Sequence, residues 1–211
     1  MNVFLGHYVE VFDAMHDTIG VDLVIAEYRR YRKSALPERV GRDNIPVILI
    51  DNREQLTAAM TRMAPLRTGI LAALGVLISL QSIEAYEDII NVHPGDVHKY
   101  RGGHPLAATI VDGRPCATIS VLRIPDKRID HGPLIAQMSV ALRYEEDYFT
   151  NEKRIRGHFS PLMRSLLEQL RTDGVLPGWE WQPDPVIYRG LDTHQLGRVL
   201  TQKTLEDFRL S

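Results

Sequence analysis

The chain has 211 residues, 44% hydrophobic and 25% charged, which suits an ordinary globular protein with a full core. Its formal net charge of −2 gives no general attraction to nucleic acid or an anionic membrane, which needs concentrated basic charge. The single cysteine excludes an intramolecular disulfide, and the longest apolar run, Gly69 to Ile78, is short of the roughly 20 residues of a membrane span.

In chain order, Asn2 to Leu5 reads as a first strand, and Val9, Phe12, Ala14 and Met15 as a loosely spaced helix closed by Gly20. Asp22 to Ala26 and Pro46 to Ile50 are second and third strands, with proline tolerated at the start. Asp51-Asn52 is placed to cap a helix from Arg53 to Met63. Gly69 to Leu74 reads as a fourth strand, Ser79 to Tyr86 as a brief helix, and Ile89 to His93 as a buried strand stopped by Pro94. This alternation predicts parallel β-α-β units with buried central strands.

The pattern then changes. Ala117 to Ile124 and Leu134 to Leu142 are strand-like runs joined by the turn-rich segment Pro125 to Pro133. Cys116, at the edge of the first, is expected to be a small buried thiol. Ile155, Phe159, Leu162, Met163, Leu166, Leu167 and Leu170 recur at helical spacing and predict one helix ending near Gly174. The rest is rich in Pro, Gly and Trp without a period. The organisation expected is one domain over 1–175 with a short extension, 176–211, packed on it. The amino terminus shows no cationic region followed by an apolar segment and a small-residue cleavage site, so a cytoplasmic protein is expected.

Three polar residues stand in punctuated places. Asn91 and His93 are two apart, so on a strand they point the same way. Asp130 precedes the turn His131-Gly132-Pro133. Each alone reads as structural, but together an amide donor, an imidazole and a carboxylate suit attack on a carbonyl. His93, Asp96, His98, His104, Asp130 and His131 also raise a metal site, against which stand the irregular spacing and the Gly102-Gly103 loop. The run Tyr28 to Lys33 reads first as a solvated loop or helix end, and second as a grip on phosphate.

The segments Asn91-Val92-His93-Pro94, Lys99-Tyr100-Arg101-Gly102 with Pro105, and Asp130-His131-Gly132-Pro133-Leu134-Ile135-Ala136-Gln137 resemble the motifs of the folate-dependent formyltransferases. That group includes enzymes acting on glycinamide ribonucleotide, methionyl-tRNA and nucleotide sugars, and the last are closest in style. The resemblance covers the middle third of the chain, and the first third only in its order of elements. It implies an α/β, Rossmann-like, mostly parallel sheet flanked by helices, with an antiparallel strand pair after the Asn-x-His-Pro strand. It also implies a catalytic trio of Asn91, His93 and Asp130, and 10-formyltetrahydrofolate as formyl donor with no metal. The folate is expected along Leu74, Val76, Leu77 and Ile78 and along Arg128 and Ile129. Lys99, Tyr100, Arg101, Arg29 and Arg30 are expected on the side of a small-molecule amine acceptor.

Two departures from the family bear on that acceptor. The glycinamide ribonucleotide enzymes carry a Gly-Ser phosphate loop where this chain has Gly6-His7-Tyr8-Val9. Too few residues follow the last helix for a tRNA-binding barrel. The expected acceptor is therefore a nucleotide-linked amino sugar. The alternatives are an amino-acid-type amine such as hydroxyornithine, or a non-catalytic module that binds folate or nucleotide. Neither nucleic acid nor membrane is an expected partner, and a homodimer is compatible with this reading.

Overall fold

The computed structural model describes residues 1–182 and 187–188. The first half alternates strand and helix: β1 (Asn2–Gly6), α1 (Val9–Ile19), β2 (Leu23–Glu27), α2 (Tyr28–Tyr31), α3 (Leu36–Arg42), β3 (Val47–Ile50), α4 (Arg53–Met63), β4 (Leu66–Ala72), α5 (Leu80–Glu84) and β5 (Tyr86–His93). There follow β6 (Arg101–Gly102), α6 (Pro105–Val111), β7 (Cys116–Arg123), β8 (Leu134–Ala141), α7 (Tyr148–Arg156), α8 (Phe159–Asp173) and β9 (Ile187–Tyr188).

Seven strands form one sheet in the order β3-β2-β1-β4-β5-β7-β8. The first five are mutually parallel, while β7 runs antiparallel to β5 and β8 antiparallel to β7. β6 and β9 pair separately. The expected α/β sheet with an antiparallel pair is the observed one. Helices cover both faces, and the central strands show why. Phe4, Val24 and Ala26 enter one core with α1, α6 and α8, whereas Val3, Leu5, Leu23 and Ile25 enter a second with α4 and α5. Continuous apolar strands are what a sheet buried on both faces requires.

The caps foreseen in the sequence form: Asn52 accepts a hydrogen bond from the Gln55 N–H at the start of α4, and Gly20 ends α1 with φ of 78°. Two expectations are corrected, and two helices were not foreseen. The stripe read as one helix is two, α7 and α8, because the chain breaks at Gly157-His158, neither of which belongs to a helix. Helix α6 follows the Lys99 to Pro105 loop and was not foreseen, because its five buried residues out of seven leave no amphipathic period to read. Helix α3 was not foreseen, since Leu36 and Val40 alone make its buried face. Cys116 is exposed, because β7 meets β8 at the sheet margin there. Among the described residues, no helix is long and apolar enough to cross a membrane.

One close approach positions everything that follows. The chain leaves β1 toward β2 on one side and returns to β4 on the other, a topological switch point where open α/β sheets bind ligands at the carboxyl ends of their strands. There Gly6, with φ of 132°, pairs with Ala72, and a β-carbon on it would lie 1.9 Å from the Ala72 carbonyl oxygen. Only glycine lets β1 and β4 close at this level.

Candidate active site

The cavity at that switch point has a volume of about 1380 Å³, above the roughly 300–1,000 Å³ of a typical single-ligand pocket. Asn91 and His93 end β5 beside it, Asn91 in register with Leu71 of β4 and Leu122 of β7. Both are buried, at 6% and 4% exposure. The connection from β7 to β8 brings Asp130 back to them with φ of 44°, a left-handed conformation that Asp and Asn tolerate better than most residues.

The three side chains meet as the motifs lead one to expect. Asp130 Oδ1 accepts from Asn91 Nδ2 at 2.7 Å, and Asp130 Oδ2 accepts from the Gly102 N–H at 2.7 Å. That second oxygen also lies 3.3 Å from His93 Nδ1. His93 Nε2 is 2.7 Å from the Tyr100 carbonyl oxygen. Both ring nitrogens thus face oxygen acceptors, so the ring is held in plane between a carboxylate and a carbonyl. One amide hydrogen of Asn91 is used by Asp130, and the other is available to a ligand.

Every residue expected along the folate lines the cavity: Leu74, Val76, Leu77 and Ile78 from the loop after β4, and Arg128 and Ile129 beside Asp130. Asp126 holds the Arg128 guanidinium through three hydrogen bonds to its side chain at 2.6–3.0 Å. The expected acceptor residues divide. Arg30 lines the cavity, its Nε 3.3 Å from Glu27 and its Nη1 donating to the Ala73 carbonyl at 3.4 Å. Arg29 does not line it. Tyr100 is buried, with its hydroxyl donating to Asp112 at 2.8 Å and accepting from Arg114 at 3.0 Å. Burial pushes that phenol up to about 12. Lys99 borders a second, smaller pocket with Arg114 and Cys116, and Arg101 is buried at 6% exposure. What this segment supplies to the cavity is backbone: the Tyr100 carbonyl for His93 and the Gly102 N–H for Asp130.

A further wall had no motif to announce it. His7 and Tyr8 after β1, with Tyr148, Phe149, Glu152 and Arg156 of α7, close the cavity. Arg156 donates to Glu10 at 3.0 and 3.3 Å and lies 4.8 Å above the Tyr8 ring. Burial pushes Tyr8 up to about 12, with Glu152 adding to the effect. Burial raises Glu152 as well, against Arg156.

His7 moves the other way, lowered to about 4 by burial and then by the Arg30 guanidinium. In an unfolded chain the ring titrates near 6.5. Between these values the unfolded chain binds a proton that the native state refuses. This ring therefore makes stability fall as pH drops from about 6.5 toward 4. In His7→Gln the acid limb of melting midpoint against pH should be shallower, and an unchanged limb would remove this account.

Among the described residues, no three His, Cys, Asp or Glu side chains are grouped to hold a metal ion. His98 Nδ1 is engaged by Asp96 at 2.9 Å instead.

The sequence model of the formyl transferase family matches residues 21–164. The methionyl-tRNA formyltransferase of Thermus thermophilus is 27% identical over 171 residues, 77% of this chain and 56% of that protein; the chain thus spans little more than half of that curated relative. Among solved structures, phosphoribosylglycinamide formyltransferase from Bacillus halodurans has a TM-score of 0.68 at 21% identity, covering 83% of this chain and 97% of its own. An N-formyltransferase from Helicobacter canadensis, in complex with folinic acid and dTDP-3-aminofucose, has a TM-score of 0.72 at 12% identity, covering 89% and 70%. The fold is common to both solved structures, and the family match spans β2 to the first turns of α8 with the Asn91, His93 and Asp130 motifs inside it: the chain belongs to the formyl transferase family.

Proposed function

We propose that this protein transfers a formyl group from 10-formyltetrahydrofolate to a primary amine of a small metabolite, preferentially a nucleotide-linked amino sugar. The observation that carries the reading is the convergence of Asn91, His93 and Asp130 at one cavity, through hydrogen bonds of 2.7 Å to Asp130 and a 3.3 Å contact with His93. The residues present fit a folate: Leu74, Val76, Leu77 and Ile78 offer an apolar strip, with Leu77 left 57% exposed, beside the Asp126–Asp130 loop. The cavity volume has room for an acceptor as well.

The donor supplies the formyl carbon, whose bond to nitrogen breaks as the bond to the acceptor amine forms. Asn91 uses its free amide hydrogen on the oxygen that gains negative charge. Preorganised donors of this kind are worth a few kcal/mol each. Asp130, oriented by Asn91 and Gly102, is placed to take the proton that the amine loses. His93, with Nε2 on the Tyr100 carbonyl and Nδ1 facing Asp130, is placed to share that proton with Asp130 before it is delivered to the leaving nitrogen. For a diphosphate, Arg30 and Lys33 are the cations on the β2 side of the cavity, and Arg30 is already fixed by Glu27.

A ligand that binds only the folded state adds roughly 2.7 kcal/mol of stability at one hundred times its dissociation constant. Folinic acid should therefore raise the melting midpoint, and NAD and ATP should not. The decisive assay is amine-dependent release of tetrahydrofolate with dTDP-3-aminofucose, dTDP-4-amino-4,6-dideoxyglucose, L-ornithine and N5-hydroxyornithine as acceptors. Turnover of a sugar nucleotide supports the preferred acceptor, and Arg30→Gln should then raise its KM. Turnover of the amino acids alone moves the acceptor to that class. No turnover together with no folinic acid shift sinks the formyltransferase reading.

A further inference from the structure

The wall built by Tyr8 and α7 contains two polar groups that formyl transfer as described above leaves unused. Glu152 lines the cavity, yet its carboxylate has no hydrogen-bond or ion-pair partner among the described residues. Arg156 stands four residues later on the same helix, but its guanidinium is given to Glu10 and to the Tyr8 ring. His7 flanks the other side of Tyr8, with ring centroids 5.1 Å apart, and its Nδ1 is buried without a partner. Phe149 of the same helix is 52% exposed at the cavity.

A carboxylate part-buried among aromatic rings is costly to leave unmatched, and so is a buried imidazole nitrogen. Glu10 pairs with Arg156, so the net formal charge of this wall is that of Glu152, which Arg156 offsets in part. A phosphate would be repelled from it, and Arg30 and Lys33 at the β2 side are the better place for one. What matches a carboxylate, a neutral imidazole and an exposed ring is a ligand that presents hydroxyl donors around an apolar ring face. We propose that Glu152 and His7 bind the hydroxyl groups of an amino-sugar ring seated against Phe149, and so determine which acceptors are used. This rests on the acceptor reading above.

The test uses Glu152→Gln and Glu152→Leu with dTDP-3-aminofucose and dTDP-4-amino-4,6-dideoxyglucose as acceptors and folinic acid as donor-side probe. A hydrogen bond to a charged group stabilises by roughly 1.5–3 kcal/mol, so acceptor KM should rise at least tenfold in Glu152→Leu and by less in Glu152→Gln. At saturating acceptor, kcat should stay within threefold, and the folinic acid dissociation constant within twofold. The ligand-free melting midpoint should rise in Glu152→Leu, because an unmatched carboxylate has been removed. A purely structural role predicts the reverse: a lower midpoint, with donor affinity and kcat falling together. That result, or an unchanged acceptor KM, overturns the proposal. If the wild type binds folinic acid but uses neither sugar nucleotide, the proposal falls with the amino-sugar reading while the donor side stands. If folinic acid does not bind either, the formyltransferase reading itself has failed.

Discussion

His93→Asn should lower kcat by about a thousandfold while leaving a folded protein that still binds folinic acid. Positioned proton transfer contributes roughly 10²–10⁴-fold, and this ring bridges Asp130 and the Tyr100 carbonyl. Asparagine is shorter and cannot span both acceptors. Asp130 would keep Asn91 and the Gly102 N–H, so the loop carrying it should stay in place. The loss should therefore appear in turnover, with the melting midpoint lowered by only a few degrees, the scale of about 1 kcal/mol in a domain of this size. Single-turnover rates with a saturating acceptor would measure it. Turnover within tenfold of wild type would remove His93 from the chemistry.

Gly95→Ala should be nearly as damaging, although residue 95 has no functional atom. A β-carbon there would lie 2.4 Å from the Pro105 β-carbon and 2.7 Å from His93 Nε2. The backbone has little room to retreat, because the Gly95 carbonyl accepts from Ser120 Oγ at 2.7 Å, and that hydroxyl lies within β7. The imidazole must then leave the Tyr100 carbonyl, or Pro105 must push α6 outward. Overpacking of this kind costs roughly 1–3 kcal/mol, and a displacement of about 1 Å at a reacting group costs on the order of a hundredfold in rate. We expect kcat to fall by about that factor and the donor dissociation constant to change little. The pairing of a lost rate with retained folinic acid binding distinguishes a displaced ring from a collapsed cavity. Gly95→Ala with wild-type kcat would show that the space beside His93 is compliant.

Much of the fold is legible because its signals are local. Five apolar runs punctuated by Gly20, Pro46, Asn52 and Pro94 lie close to the five parallel strands, since a strand buried on both faces must be apolar throughout. The period of two places Asn91 and His93 on one side of β5 without any tertiary knowledge. The resemblance tied Asp130 to them, a link that no local rule makes to a strand about forty residues earlier in the chain. The segments that escaped are those whose local pattern is weak or misleading. Helix α3 buries only two residues, and α6 is apolar on nearly every side. One stripe ran across Gly157-His158 because the phase of the apolar positions survives the break between α7 and α8.

The order of residues alone was enough for an α/β sheet, for the strand that presents an amide and an imidazole together, and for the loops expected to border a folate. The employment of the conspicuous polar residues depended instead on how distant elements pack. Arg29, Lys99 and Tyr100 look like ligand contacts in one dimension, but do not line the cavity, and the Tyr100-Arg101-Gly102 segment serves it through a carbonyl and an N–H. No motif marks Glu152 and Arg156, four residues apart on α7; Glu10 of α1 takes the arginine and leaves the carboxylate at the cavity. The reason is physical. Periodicity reports which face of an element is apolar, whereas the partner of a charge is set by which elements pack side by side, and that is settled by long-range burial.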